Sequence, residues 1–353
     1  MRPRISWLLA FIISLPAQTQ GQTLRQLVDA SDFHIGAFID PVQTRNDTQY
    51  KAIASEFNFN IMPRFMRDVE TSPGVYTWTV IDSYLNTGQS LDMRTAAQSL
   101  VYRNSTSPAW PGFTNTGCGP YTPDQVRAVT KDYIQTVIQH RPERYYVWEV
   151  VNEAASTPNS ANCWSQKLGY PQYVIDAFRF AGEVHPPGML LRLNETFGFA
   201  NESMPIIQKT LALIDAVQAA GAPIDILGVE NHLNLDTIKS TDPPTIYIDN
   251  FRLILREAAK RHIQVQVSEI DIYQGTSNDF AGQAQVYSNI FDACFSTPWC
   301  TSFSTWGVYD KVTWWRTQLK KPDAQPLLFD MSYQSKPAYQ AIKTLLQNKP
   351  RAH

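Results

Sequence analysis

Two glutamates stand beside or within apolar segments that are far apart in the sequence. Glu153 follows the run 145–151, and Glu269 lies inside the run 264–272. Two carboxyl groups can cleave a glycosidic bond, because one protonates the leaving oxygen while the other handles the cationic sugar carbon. A single charged residue beside a strand is commonly a solvated loop residue. The two glutamates therefore form a candidate catalytic pair only if the fold brings them together.

Eight short apolar or alternating runs recur along the chain, and longer helix-like stretches separate them. Helical patterns cover residues 123–139, 203–220 and 248–261. Strands that alternate with helices predict a parallel sheet, and eight of them predict a single-domain (β/α)8 TIM barrel of the α/β class. A doubly wound open sheet is the alternative, although no G-x-G-x-x-G motif follows any run. The runs span residues 33–39, 57–62, 92–102, 145–151, 189–193, 224–231, 264–272 and 301–308.

Polar residues collect where the predicted strands end, which is the face that carries the active site in TIM-barrel enzymes. Glu153 and Glu269 oppose each other across this face. The other candidates at these strand ends are Arg64, Arg67, Arg103, Asn152, Asn194, Glu195, Glu230, His232, Asp271 and Trp306.

The composition excludes several classes of protein. Hydrophobic residues make up 43% of the 353 residues and charged residues 18%, so a large core is available and wholesale disorder is excluded. The 30 Lys and Arg balance 32 Asp and Glu, which argues against a nucleic-acid partner. No internal repeat or Gly/Ser linker divides the chain, which favours one domain. The 9 Trp, 16 Tyr and 17 Phe supply flat faces that suit sugar binding, although most of them would fill the core.

Residues 1–21 have the pattern of a secretory signal peptide. Arg2 and Arg4 precede an apolar run from Trp7 to Leu15. This run is shorter than the roughly 20 residues that a membrane helix needs. We therefore expect a secreted, extracellular monomer with no membrane partner, whose catalytic barrel covers residues 22–353. A buried N-terminal helix is the alternative.

Four cysteines in an exported chain predict two disulfides, for which three connectivities are possible. Cys294 and Cys300 are close in sequence and pair most simply with each other, which leaves Cys118 for Cys163. No C-x-x-C motif or His-rich cluster indicates a metal site, and we expect neither metal nor cofactor. N-glycosylation sequons occur at Asn46, Asn104, Asn194 and Asn201, of which Asn194 closes an apolar run and is a poor candidate.

The motifs on the predicted strands resemble those of glycoside hydrolase family 10, best known for endo-β-1,4-xylanases. The sequence W-E-V-V-N-E-A at 148–154 is similar to the family's W-D-V-V-N-E-A, and V-S-E-I-D-I at 267–272 is similar to its T-E-L-D-I. G-V-E-N-H-L at 228–233 resembles G-x-Q-x-H. The likeness continues from Trp306 to K-P-A-Y at 336–339, so it covers nearly the whole mature chain in order.

This resemblance implies a retaining glycosidase. It makes Glu153 the acid/base and Glu269 the nucleophile, with about 5–5.5 Å between the two carboxyl groups. It also implies that Asn152 binds the sugar 2-hydroxyl and that His232 orients the nucleophile.

The chain departs from the family at positions that bind the sugar. A-Q-S-L-V-Y-R at 97–103 stands where the family has G-H-T-L-V-W-H, and R-F-M-R-D at 64–68 stands where it has N-E-M-K-W. We therefore expect an altered sugar site, in which Trp306 and Trp314 form walls unless they only pack the core. The expected substrate-binding residues are Arg64, Arg67, Gln98, Tyr102, Arg103, Asn194, Trp306 and Trp314.

Glu230 replaces the neutral glutamine that the family has beside the nucleophile. Two carboxylates in a small site cannot both ionise freely, so we expect one apparent pKa to rise. An arginine, either Arg67 or Arg103, could neutralise the extra charge and cancel this effect.

The altered sugar site favours a substrate other than xylan. Fungal tomatinases of this family remove an oligosaccharide from the steroidal glycoalkaloid tomatine, and forked arginine donors with aromatic loops would suit such a plant glycoside. An endo-1,4-β-xylanase acting on the polysaccharide xylan is the alternative. A catalytically idle, glycan-binding barrel is disfavoured, because both glutamates are present together with Asn152 and His232.

Overall fold

The computed structural model describes residues 21–28, 31–63, 66–72, 74–102, 119–156, 162–197, 203–349 and 351. Residues 1–20 of the expected signal peptide lie outside the described residues, so that expectation is not tested. The same holds for the side chain of Arg67 and for the residues Arg64, Arg103, Asn104, Cys118 and Asn201.

Eight parallel strands close into a barrel in the order β1-β10-β9-β8-β7-β6-β5-β2. Each strand pairs in parallel with its neighbours, which confirms the predicted (β/α)8 barrel. A short antiparallel hairpin, β3–β4, interrupts the second β–α connection and was not predicted. The strands are β1 (His34–Phe38), β2 (Phe59–Pro63), β3 (Glu70–Ser72), β4 (Val75–Tyr76), β5 (Arg94–Gln98), β6 (Tyr145–Asn152), β7 (Leu190–Thr196), β8 (Ile226–Asn234), β9 (Gln264–Tyr273) and β10 (Cys300–Thr305).

Helices surround the barrel, and their starts follow from the sequence. The helix that follows β5 begins after Thr122, whose side chain accepts from Gln125 in a capping box, and Pro123 occupies its first turn. It spans Pro123–Gln139, the predicted range. The helices are α1 (Leu24–Val28), α2 (Pro41–Asn46), α3 (Thr48–Ala54), α4 (Met66–Val69), α5 (Thr79–Ser90), α6 (Pro123–Gln139), α7 (Cys163–Leu168), α8 (Gln172–Gly182), α9 (Ser203–Ala219), α10 (Leu235–Ser240), α11 (Ile246–Lys260), α12 (Phe280–Phe295), α13 (Trp314–Thr317) and α14 (Pro337–Asn348).

The main core packs the outer side of the strands against the helices. Inside the barrel a smaller apolar cluster fills one end, and its members are Phe59, Ile61, Ala96, Val147 and Ile226. Because side chains alternate along a strand, the next inward positions on β6 and β8 are Glu149, Gly228 and Glu230. The interior therefore changes from apolar to polar towards the carboxyl ends of the strands.

Two predicted strands extend beyond the observed ones. The run 92–102 contains only β5, since the chain leaves the regular ladder after Gln98 and returns in an isolated bridge between Val101 and Val151. The run 301–308 contains β10, which ends at Thr305. Past the strand ends, Ser99 and Tyr102 of the first run and residues 306–308 of the second line the pocket described below.

The disulfide between Cys294 and Cys300 is present, as predicted, and ties the end of α12 to the start of β10. Cys163 is also disulfide-bonded. Its predicted partner Cys118 lies outside the described residues. Among the helices that the structure describes, none is long and apolar enough to cross a membrane.

Candidate active site

A pocket of about 540 Å³ opens at the carboxyl ends of the barrel strands. Both candidate catalytic residues, Glu153 and Glu269, line it. Seven further residues singled out from the sequence also line it, namely Gln98, Tyr102, Asn152, Glu230, His232, Trp306 and Trp314. The fold thus brings together residues from five different strands or the loops that follow them.

Three hydrogen-bond donors converge on the carboxylate of Glu269, which lies on β9 and is 5% exposed. Gln98 Nε2 donates to Oε1 at 2.9 Å, and Asn194 Nδ2 lies 3.3 Å from the same oxygen. His232 Nε2 lies 3.2 Å from Oε2. Charge-assisted bonds of this kind fix the direction of a carboxylate and stabilise its negative charge. Gln98, at a position where the family has histidine, therefore contacts the candidate nucleophile directly.

Asp271 sets the orientation of His232. Its Oδ1 lies 2.8 Å from His232 Nδ1, so the opposite ring nitrogen faces Glu269. Burial alone would lower the pKa of His232, but the charge of Asp271 and the hydrogen bonds to Asp271 and Glu269 raise it well above its ordinary value. The protonated imidazole can donate to both carboxylates at once.

The same aspartate also holds two tryptophans. Trp314 Nε1 donates to Asp271 Oδ2 at 2.6 Å, and Trp315 Nε1 donates to Oδ1 at 2.8 Å. The ring of Trp314 meets that of His232 edge to face, with 4.9 Å between centroids. Trp306 stands against Phe38 at 5.7 Å and also lines the pocket. Trp306 and Trp314 therefore both line the pocket, and their role as walls of a sugar site stays a prediction.

Glu153 follows β6 in a left-handed backbone conformation with φ of 51°. Its N–H donates to the carbonyl of Asn194, and Tyr102 Oη donates to its Oε1 at 3.2 Å. Beneath it, the buried carboxylate of Glu195 accepts from Ala155 N at 2.7 Å and from Ser156 Oγ at 2.5 Å. Glu195 therefore fixes the turn that carries Glu153.

The position of Asn194 corrects one expectation. We expected it to bind substrate, but it is fully buried beneath the pocket. Its Nδ2 points to Asn152 Oδ1 at 3.1 Å and to Glu230 Oε1 at 2.8 Å, in addition to Glu269. Gly228 makes room for this side chain, since a Cβ there would collide with Asn194 Oδ1. Asn194 supports the carboxyl groups, and its sequon is not accessible for glycosylation.

Glu230 pairs with Glu269 across β8 and β9 and is 3% exposed. Burial raises its pKa well above the ordinary value, and the charges of Glu269 and Glu153 raise it further. The side-chain atoms of Glu230, His232 and Glu269 that could bind a metal ion lie within 4.8 Å of one another. Among the described residues, this is the one group with such an arrangement. Because the hydrogen bonds of Glu269 already account for these side chains, we assign no metal to them.

A buried ion pair below the pocket was not anticipated from the sequence. Arg192 Nη2 lies 2.9 Å from Glu149 Oε2, and both side chains are inaccessible to solvent. Arg192 also donates to Gln266 at 3.1 Å, and Ser99 Oγ donates to Glu149. Burial raises the pKa of Glu149 to about 7, against the lowering effect of Arg192. Opposite charges within two neighbouring apolar runs were the signal that could have revealed this pair.

Comparisons with known proteins agree with this site. The family model described as Glycosyl hydrolase family 10 matches residues 23–345. Endo-1,4-beta-xylanase B of Thermotoga neapolitana is 25% identical over 94% of this chain and 93% of its own length. Exoglucanase XynX of Acetivibrio thermocellus is 31% identical over 88% of this chain, and endo-1,4-beta-xylanase A of Thermoanaerobacterium saccharolyticum is 30% identical over a similar share. The chain spans only 28% and 26% of the length of these two relatives.

A solved structure shares the fold closely. Xylanase 10B from Thermotoga petrophila RKU-1, in complex with xylobiose, has a TM-score of 0.80 at 26% identity, covering 94% of this chain and 99% of that one. The chain therefore belongs to glycosyl hydrolase family 10.

Proposed function

We propose that the protein is an endo-1,4-β-xylanase that cleaves its substrate by double displacement. The observation that carries this proposal is the convergence of Gln98, His232 and Asn194 on Glu269, in the same pocket as Glu153. Relatives named endo-1,4-beta-xylanase and a structural neighbour that binds xylobiose support xylan better than the substrate preferred from the sequence.

In the first step, Glu269 attacks the anomeric carbon while Glu153 protonates the leaving oxygen. The C–O bond to the leaving group breaks and a glycosyl ester with Glu269 forms. In the second step, Glu153 removes a proton from water, and the water oxygen displaces Glu269 from the sugar. Before the attack, the three donors around Glu269 hold its carboxylate in place. After the second step, they stabilise the negative charge that returns to this carboxylate.

Asn152 contributes to sugar binding in this scheme. Its Oδ1 accepts from Asn194, so its own amide N–H groups are turned towards the pocket, which Asn152 also lines. They can donate to a sugar hydroxyl, which agrees with the 2-hydroxyl role that the family resemblance implies.

The test is incubation of the purified protein with β-1,4-xylan, followed by separation of the products. Xylo-oligosaccharides should appear with the native protein and be nearly absent with Glu153→Gln and Glu269→Gln. Asp323→Asn is the matched control, because Asp323 bonds Tyr273 and does not line the pocket. Intact xylan after prolonged incubation with the native protein would reject xylanase activity.

Hydrolysis of a glycoside with an apolar leaving group, such as tomatine, is the second candidate. The pocket is lined by Phe38, Val308 and Val312, and the last of these is 45% exposed. An exposed apolar side chain at the pocket favours an apolar group, whose burial contributes roughly 25 cal/mol per Å². Free aglycone plus an intact oligosaccharide from tomatine, with xylan untouched, would favour this candidate over xylanase.

We further infer that the protein acts outside the cell. The support is the N-terminal signal-peptide pattern together with the disulfide between Cys294 and Cys300. Expression of the full chain in a secretory host, with sequencing of the N-terminus recovered from the medium, tests this inference. Retention inside the cell with residues 1–21 intact would contradict it.

A further inference from the structure

The donors around Glu230 and Glu269 are too few for two carboxylates. Asn194 Nδ2 carries two hydrogens but faces three acceptors, on Asn152, Glu230 and Glu269. Ser268 Oγ bonds to Asn194 Oδ1 at 2.5 Å, which fixes the direction of the amide. Glu269 receives two further donors, from Gln98 and His232, whereas Glu230 has no second hydrogen bond among the described residues.

Among the described residues, the cations near Glu230 are already paired with other carboxylates. On β6 and β7, Glu149 is paired with Arg192, and on β8 and β9, His232 is paired with Asp271. Gln98 and Ser99, from β5 and the residue after it, add no charge. In the part of the chain that the structure describes, the other charged groups near it are Glu269, which acts as an anion, and Glu153, which acts as an acid. His232 Nε2 is 3.8 Å from Glu230 Oε2 and closer to Glu269 Oε2, at 3.2 Å.

We propose that Glu230 carries a proton in the active enzyme and serves as a positioning residue, a neutral carboxylic acid at the place where the family motif has an amide. The proposal deepens the proposed function, because it rests on Glu269 being the nucleophile. A protonated glutamate has nearly the shape of glutamine and likewise combines a donor with an acceptor. The direction of the pKa shift of Glu230 agrees with this assignment.

Loss of this proton should stop hydrolysis. An ionised Glu230 would compete with Glu269 for the N–H groups of Asn194 and His232, both of which already lie within 4 Å of it. Glu269 would then lose the contacts that aim it at the anomeric carbon. Besides the proton on His232, the active enzyme therefore needs a proton on each of two carboxyl groups, Glu153 and Glu230.

The pH dependence of kcat/KM tests this requirement. With two required protons, the activity of the native enzyme should fall about 100-fold per pH unit at the steep part of the alkaline limb. Glu230→Gln, normalised to its own maximum, should fall only about tenfold per pH unit, because Glu153 is then the one of these two carboxyl groups that still titrates. Asp323→Asn replaces a carboxyl group outside the pocket and should keep the steep limb. Equal slopes for the native enzyme and Glu230→Gln would overturn the proposal.

Thermal unfolding gives an independent readout. A carboxyl group whose pKa is raised in the folded state stabilises the protein below its unfolded pKa, and this contribution is lost as pH rises through the folded pKa. The Tm of Glu230→Gln relative to the native protein should therefore increase with pH. In a Glu269→Gln background this increase should be smaller and end at lower pH, because the charge of Glu269 no longer raises the pKa of Glu230. A Tm difference that is independent of pH would also overturn the proposal. If Glu269→Gln itself hydrolyses normally, the proposed function fails instead.

Discussion

Asp271 holds three ring systems of the active site with one carboxylate, and Asp271→Asn keeps its shape while removing its charge. The asparagine oxygen can still accept from His232 and Trp315, as Oδ1 does now. The amide nitrogen would then face the Nε1–H of Trp314, where Oδ2 now accepts at 2.6 Å. One acceptor is thus replaced by a donor that points at another donor.

The size of the effect follows from these contacts. A buried N–H left without an acceptor costs about 1–3 kcal/mol, so the free energy of unfolding should fall by that amount. Asp271 is also the largest of the influences that raise the pKa of His232, so the ring should lose its proton. The Nδ1–H of the neutral His232 would still donate to the amide oxygen that replaces Oδ1. His232 Nε2 would then present a lone pair to Glu269. Loss of one preorganised donor typically lowers kcat by about 10²–10³-fold.

The assay is kcat on a soluble aryl β-xylobioside, measured from pH 4 to pH 8 for the native enzyme, Asp271→Asn and the control Asp323→Asn. We expect a loss of about 10²–10³-fold for Asp271→Asn and a change of less than about threefold for the control. A kcat for Asp271→Asn within about threefold of the native value would refute the assigned role of the His232–Asp271 pair.

Three further changes test other parts of the structure. Arg192→Met leaves Glu149 buried without its partner, which should lower the free energy of unfolding by about 3–5 kcal/mol near pH 8. The loss should be smaller at pH 5, because the raised pKa of Glu149 lets this residue take up a proton there. Equal losses at both pH values, measured by chemical denaturation, would contradict this expectation. Replacing Cys294 and Cys300 with serine opens a short loop and should lower the free energy of unfolding by about 2 kcal/mol, with kcat unchanged. An unchanged denaturation midpoint would speak against a structural role of this disulfide. Tyr102→Phe removes the hydroxyl that donates to Glu153 and should reduce kcat several-fold with little change in Tm. An unaltered kcat would show that this hydrogen bond does not contribute to catalysis.

The sequence predicts the barrel and its carboxyl pair because both depend on patterns that act over a few residues. Apolar runs bounded by helices define the strands, and chemistry at the ends of parallel strands follows from the architecture. The capping box at Thr122 and Gln125 places the start of α6 without any tertiary information. The local preferences of these segments agree with the barrel architecture, so the predicted elements are also those of the folded protein.

The direction of individual side chains could not be predicted. Register shifts interrupt the pairing between Glu149 and Val151 and between Val229 and Glu230, and each shift changes which residues face inward. Asn194 is fully buried and lies beneath the pocket rather than in it. The Glu149–Arg192 pair depends on the same registers. A charge inside an apolar run shows that a partner is needed, but the closed barrel decides which partner it meets.

Covalent trapping tests the central claim, that Glu269 is the nucleophile and Glu153 the acid/base, most directly. In a 2-deoxy-2-fluoro β-xylobioside, fluorine destabilises the cationic transition states of both steps. An activated leaving group speeds only the first step, so the glycosyl ester accumulates. After digestion, mass spectrometry should place the added sugar on the peptide that contains Glu269, and Glu269→Gln should show no label. Attachment to the peptide that carries Glu153 or to Glu230 would contradict the account.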